Sequence, residues 1–253
     1  MAMLANPLPR LTDDPAGAAL GLVLPSGGLV GPADEPWCWC ADEPAGPRDW
    51  ARLAPARRTA GLHPVLLGGV RDLGQWDLAP GEVSYPGDHD AEDVLAEFWE
   101  AYAEVELGYG GEEWPGLAEA PDSGADPDRV AAEVAGAATG AGPLRGARMA
   151  LVPARRSADI PAALGWRGAL SHENDVARLC AVLRSWEDRF GIRVVGLTYD
   201  QLLVSVAAPP EDREEALVLA AEHFAFCPDA IATTLQEHAE SLVGARSWTF
   251  RWD

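Results

Sequence analysis

The 253-residue chain contains no lysine; all 19 residues counted as Lys or Arg are arginines. That absence excludes Schiff-base chemistry, a P-loop lysine and the phosphate-binding lysine of a protein kinase. Cysteine is also scarce. Cys38, Cys40, Cys180 and Cys227 are too few and too unevenly spaced for a disulfide framework in a chain of this length, so reduced thiols are expected. No segment holds eighteen uninterrupted apolar residues, and the stretch Met1–Arg10 has no charged region followed by an apolar run. The expectation is a cytoplasmic protein that does not engage a membrane. Positive charge is the last shortage: 40 acidic against 19 basic residues give a formal charge of -21. Phosphate backbones are bound through a basic footprint, so direct nucleic-acid binding is excluded as an expectation.

What is present is ample apolar material and an uneven distribution of acid. With 48% hydrophobic residues the chain can bury the core of one large domain or two small ones. Between Glu82 and Glu133 there are sixteen Asp and Glu and one Arg, a net of -15, whereas residues 146–253 sum to -4. Within the acidic stretch, Val94, Leu95, Phe98, Trp99, Tyr102 and Val105 recur as one apolar stripe of a helix. Glu92, Asp93, Glu97, Glu100, Glu104 and Glu106 form its opposite face. Periodicity then fades through an Ala-, Gly-, Pro- and Asp-rich run, apart from a short helix near Asp128–Ala138. Three regions follow: an α/β N-terminal region over 1–113 with the acidic helix, a linker over 114–146, and a C-terminal α+β domain over 147–253. In the first, Leu20–Leu24 and Leu62–Leu67 read as strands between Pro- and Gly-rich turns.

The C-terminal region is the most legible. A strand near Arg148–Pro153 leads through a short turn or helix at Ala158–Leu164. Ser171 is placed to cap a helix whose Val176, Leu179, Cys180, Leu183, Trp186 and Phe190 recur at three- and four-residue steps, and Gly191 ends it. The β-rich runs 192–199 and 202–207, separated by Asp200 and Gln201, read as an antiparallel hairpin. A helix from Glu211 to about Phe226, burying Leu217, Ala220, Ala221 and Phe224, is interrupted at Pro228 before a further helix that stops at Gly244. The strand Arg246–Asp253 completes the order β-α-β-β-α-α-β, which approximates the split βαβ arrangement of ferredoxin-like sandwiches with its second helix broken.

Four stretches of this region, Ser185–Gly191, Val206–Pro210, Ala221–Asp229 and Trp248–Asp253, together resemble the uncharacterised family catalogued as domain of unknown function 4253. The resemblance spans roughly residues 147–253. It implies a bacterial, actinobacterial and cytoplasmic protein, and it brings no established activity or catalytic residues. Arg251 stands at a position where the family's last strand is often aromatic.

Several clusters carry potential chemistry. His223 and Cys227, four residues apart on one helix face, are a candidate metal pair; tetrahedral zinc needs two further ligands, with His172, His238, Cys38 and Cys40 as candidates. The competing reading makes Cys227 a small buried hydrophobe and His223 a partly buried hydrogen-bonding residue. In Trp37-Cys38-Trp39-Cys40, strand alternation places both thiols on one face, and packing is the stronger explanation. Ser171-His172-Glu173-Asn174-Asp175 has the composition of a helix start rather than of a catalytic triad. No cofactor is predicted. Trp248 and Trp252, an even number of residues apart, share a side of the last strand and are either core or a docking surface.

The functional expectation is a non-enzymatic module that binds another protein with a basic surface, of the acidic immunity or inhibitor type. Its binding residues are the acidic helix, at Glu97, Glu100 and Glu104, together with Trp248 and Trp252. The alternatives are a small metal- or ligand-binding enzyme using His223 and Cys227, and a scaffold or subunit of a larger assembly. The number of copies per assembly is not legible.

Overall fold

A computed structural model describes residues 6–69, 76, 78–106, 113–122, 124–140, 142–231 and 234–252, with the side chains of 103–106 and 143 outside the description. The elements in chain order are β1 (Gly27–Val30), β2 (Cys38–Pro44), α1 (Asp49–Leu53), α2 (Ala56–Ala60), β3 (Leu62–Leu67), α3 (Ala91–Glu106) and α4 (Pro127–Ala138). They continue with β4 (Arg148–Pro153), α5 (Ile160–Leu164), α6 (Val176–Phe190), β5 (Arg193–Leu197), β6 (Gln201–Ser205), α7 (Arg213–Phe226), α8 (Leu235–Leu242) and β7 (Ser247–Arg251). The protein is a mixed α/β fold built on one seven-stranded sheet.

The strand order is β1-β2-β4-β3-β5-β6-β7, antiparallel except for the β3–β5 pair. The element order expected of the C-terminal region is present, but its four strands do not form a sheet of their own. All six residues of β3 pair with β4, and Leu66 and Leu67 pair with Gly196 and Leu197 of β5. A split βαβ sheet would set the last strand beside the first; here β7 lies at the far edge beside β6. The N-terminal strand fills the place between. Residues 114–146, expected as a linker, carry α4, whose Val130, Ala131 and Ala135 are buried and whose helix packs on β5 and β6.

Side chains alternate across a strand, so central strands covered on both faces must be apolar throughout. β3 is buried at every position, and β4 at its four inner ones. Val65, Leu67, Ala150 and Val152 face a layer formed by α3 and α5–α8. Leu62, Leu66, Met149 and Leu151 face a second layer holding the N-terminal residues, α1 and α4. Pro64 is tolerated inside β3 because its position is paired only to β4, short of the β5 ladder. The run Leu20–Leu24, expected as a strand, is instead a 3-10 turn and irregular chain that buries Leu20, Leu22 and Leu24.

Helix boundaries follow local chemistry. The cap of α6 is Asp175, four residues beyond Ser171, because its carboxylate accepts the Ala177 amide while Glu173 accepts both the Asp175 amide and Arg178. Gly191 closes α6 at φ 61°, in the left-handed region. Thr234 and Glu237 form a reciprocal capping box at the start of α8. On α7, Ala220, Ala221 and Phe224 are buried as expected, whereas Leu217 is 40% exposed and Ala216 and Leu219 join the buried face instead.

Candidate functional site

The terminal strand is core. Trp248 and Trp252 do point to the same side, and both are 3% exposed, so neither offers a docking surface. Trp186 of α6 contacts Trp248 edge-on and stacks on Phe250, while Trp252 meets Trp166 and Phe226 edge-on. The sequence leaves this fork open because the covering helices come from distant parts of the chain.

Of the metal candidates only His223 and His238 meet. The Cys227 thiol donates to the Arg251 carbonyl oxygen at 3.1 Å, and His223 Nδ1 lies 3.1 Å from His238 Nε2. His172 sits between Phe98 and Tyr102. Cys38 and Cys40 share a face of β2 opposite Trp39, as alternation demands, but on the other side of β4 and β3 from the hairpin. Among the described residues no group of three or more His, Cys, Asp or Glu side chains is placed to hold a metal ion. Burial pushes the Cys40 thiol up to about 11 and the Cys38 and Cys180 thiols higher still.

The acidic segment is partly an internal counter-charge. Glu97 pairs with Arg178 at 2.5 Å and Glu82 with Arg167 at 3.2 Å. Asp128 of α4 receives Arg57 at 2.6 Å and Arg193 at 3.1 Å, and Glu133 receives Arg246 at 3.2 Å. Four acids of residues 82–133, Glu82, Glu97, Asp128 and Glu133, thus pair with arginines of the C-terminal region. Of the expected binding carboxylates on α3, Glu100 is exposed, Glu97 is taken by Arg178, and the side chain of Glu104 lies outside the described residues.

A second group of acids gathers elsewhere. Residues 113–122 run as an extended strap beside α7, with Trp114 tilted against Trp99 of α3. The strap is fastened by a buried ion pair. Glu222, wholly buried on α7, accepts Arg189 of α6 through both oxygens at 2.8 and 2.6 Å, and also accepts the Trp186 indole N–H at 2.8 Å. Its Oε1 accepts the Ala118 amide at 2.7 Å, while Arg189 donates to the Ala118 carbonyl at 2.7 Å. Every polar atom of the pair that needs a partner in the interior has one, which is the condition for burying charge at tolerable cost.

Between the strap and the first turn of α7 lies a groove of about 620 Å³. Its rim is Glu119, Asp122, Glu211, Asp212, Glu214 and Glu215, and its floor includes Leu117, Pro121 and Val218. No Arg or His is among the described residues that line it. Glu92 of α3 reaches the same strap, its carboxylate 3.9 Å from where a side chain at Gly116 would begin. The helix N-terminus does not attract an anion here. Asp212 already accepts the Glu214 and Glu215 amides at 2.9 and 3.0 Å, and Glu215 accepts the Glu211 amide at 2.9 Å. The groove is therefore suited to a cation carried on an apolar stem.

Sequence reasoning missed this site. Glu214-Glu215 reads as an ordinary solvated pair, and the two acidic runs are about ninety residues apart in sequence, brought together where Glu222 accepts the Ala118 amide. The one available signal was Glu222, a carboxylate set among Ala220, Ala221 and Phe224 on an apolar helix face.

No curated protein and no solved structure matches the chain. The C-terminal part, residues 148–253 from the first residue of β4 onward, matches the family described as Domain of unknown function (DUF4253), the one its residues resemble.

Proposed function

We propose that the protein is a non-enzymatic binding module whose groove between residues 115–122 and the start of α7 takes an arginine- or lysine-rich segment of a protein partner. The observation that carries this reading is the groove itself: six carboxylates on its rim, an apolar floor and no cationic side chain among the described residues that line it. A guanidinium or ammonium group on an aliphatic stem satisfies both, placing methylenes on Leu117 and Val218 and charge at the rim. An immunity- or inhibitor-type role in a bacterial cytoplasm, in which the acidic surface occupies a basic site on its target, is the finer form of the proposal.

The test uses Glu119, Asp122 and Glu214, which are exposed, while Asp212 and Glu215 keep their capping duties. The triple variant E119Q/D122N/E214Q is expected to bind an arginine-rich probe peptide at least about tenfold more weakly at low salt, with a shallower salt dependence. Equal binding by the variant would overturn the proposal, as would failure of the native chain to capture a stoichiometric protein partner from its host at low salt.

A further inference from the structure

His223 and His238 meet where no carboxylate answers them. His223 is 1% exposed on α7, enclosed by Trp248 at 4.6 Å, Phe250 at 4.9 Å and Trp186 at 5.1 Å between ring centroids. Its Nδ1 faces His238 Nε2 of α8 at 3.1 Å, and its Nε2 has no hydrogen-bond partner. The charged groups on the surrounding elements are committed elsewhere: Glu222 of α7 to Arg189 of α6, Glu240 of α8 to Arg213, and Glu237 of α8 to the capping box. β7 contributes only Trp248 and Phe250 to the enclosure, and the neighbouring Cys227 thiol is turned to the Arg251 carbonyl.

We propose that this imidazole pair is an acid-sensitive latch that holds α8 against α7 until both facing nitrogens carry protons. Two neutral rings share one N–H···N bond. If His223 donates, a proton added to His238 Nε2 removes the acceptor and sets two N–H groups against each other. If His238 donates, the added proton goes to its other nitrogen and places a cation against the buried ring; a second proton on His223 then has no anion to meet. In the second case the N–H···N bond survives the first proton and is lost with the second, so full protonation of the pair breaks the contact in either tautomer. Burial lowers both rings' proton affinity, and for His223 the neighbouring His238 lowers it further. What else holds α8 is modest: three buried residues, Leu235, Ala239 and Leu242, the exposed Arg213–Glu240 pair, and the Gly244 amide on the Pro210 carbonyl.

Hydrogen exchange of the full chain between pH 7.5 and 5 tests the latch, with opening constants corrected for the intrinsic exchange rate. For residues 235–242 the opening constant is expected to rise by about tenfold per pH unit below pH 6.5 for each proton taken up, while β4 amides change less. The variant H223Q/H238Q, which can keep an amide contact but cannot titrate, is expected to open with no such slope. A flat profile in the native chain, or an unchanged slope in the variant, would overturn the latch. Should the variant not fold, the ring-proton resonances of the native chain decide: both histidines staying neutral to below pH 5.5 supports it, and independent titration near 6.5 overturns it.

Discussion

Arg189 and Glu222 face each other across α6 and α7 with two hydrogen bonds, 2.8 and 2.6 Å long, and between them they hold both backbone groups of Ala118. The pair therefore fixes the strap of residues 113–122 by its main chain, independently of what side chain stands at 118. The groove's position depends on it, because one wall of the groove is that strap and the other is the helix that carries Glu222.

Glu222→Gln keeps the shape and removes the charge, leaving the Arg189 guanidinium buried without a counter-ion. A loss of about 3–5 kcal/mol in unfolding free energy is expected from denaturant titration. A loss under 1 kcal/mol would show that water reaches Arg189.

Trp248→Ala deletes a residue 3% exposed and packed against Trp186, Phe190 and His223, and should cost about 3–5 kcal/mol. A surface tryptophan would cost far less and would leave the thermal midpoint nearly unmoved. Calorimetry separates the two.

Glu97→Gln breaks the 2.5 Å contact with Arg178, but the carboxylate is 67% exposed and its partner also holds Glu173. The change in stability should stay below about 1 kcal/mol and shrink further in salt. Binding of the arginine-rich peptide should not change, since Glu97 is not on the rim of the groove.

His63 supplies a second pH dependence. It is 5% exposed on β3, and burial, with Arg57 and Arg193 nearby, lowers it to about 4. Its folded value lies below the unfolded one, so its contribution is complete above about pH 6.5 and is lost as the pH falls towards 4, up to about 3 kcal/mol. The denaturant midpoint of the native chain should drop between pH 7 and 4.5, and by less in His63→Phe. Equal drops would remove His63 as a cause.

All four cysteines are buried, and burial raises the thiols of Cys38, Cys40 and Cys180. A thiol-specific reagent at pH 8 should label none of them in the folded protein and all four in denaturant. Labelling of the folded chain at a rate independent of its stability would contradict the burial.

The parts of this fold that were legible in the sequence are those set by local pattern. The stripe of Val176, Leu179, Leu183 and Trp186, the stop at Gly191 and the break at Pro228 each record a nearest-neighbour constraint and lie where periodicity put them. The illegible parts depend on partners far along the chain. Leu20, Leu22 and Leu24 alternate as a strand would, yet they join no strand of the sheet and pack as irregular chain against the second core layer. Acidic residues between 82 and 133 read as a surface field because the arginines that answer them, Arg167, Arg178, Arg193 and Arg246, lie up to 113 residues away. The groove failed for the same reason: its two walls meet only in space.

The insertion of β3 between β4 and β5 has a consequence for biosynthesis. As the ribosome releases residues 148–253, β4 and β5 find their common neighbour already made and waiting more than eighty residues upstream. Until β3 is seated, two long apolar edges stand open, and an isolated 148–253 fragment would keep them so, inviting other chains to add on. The N-terminal region thus covers strand edges of the matched region, and truncations that remove Leu62–Leu67 should be recovered as aggregate rather than as a smaller soluble domain.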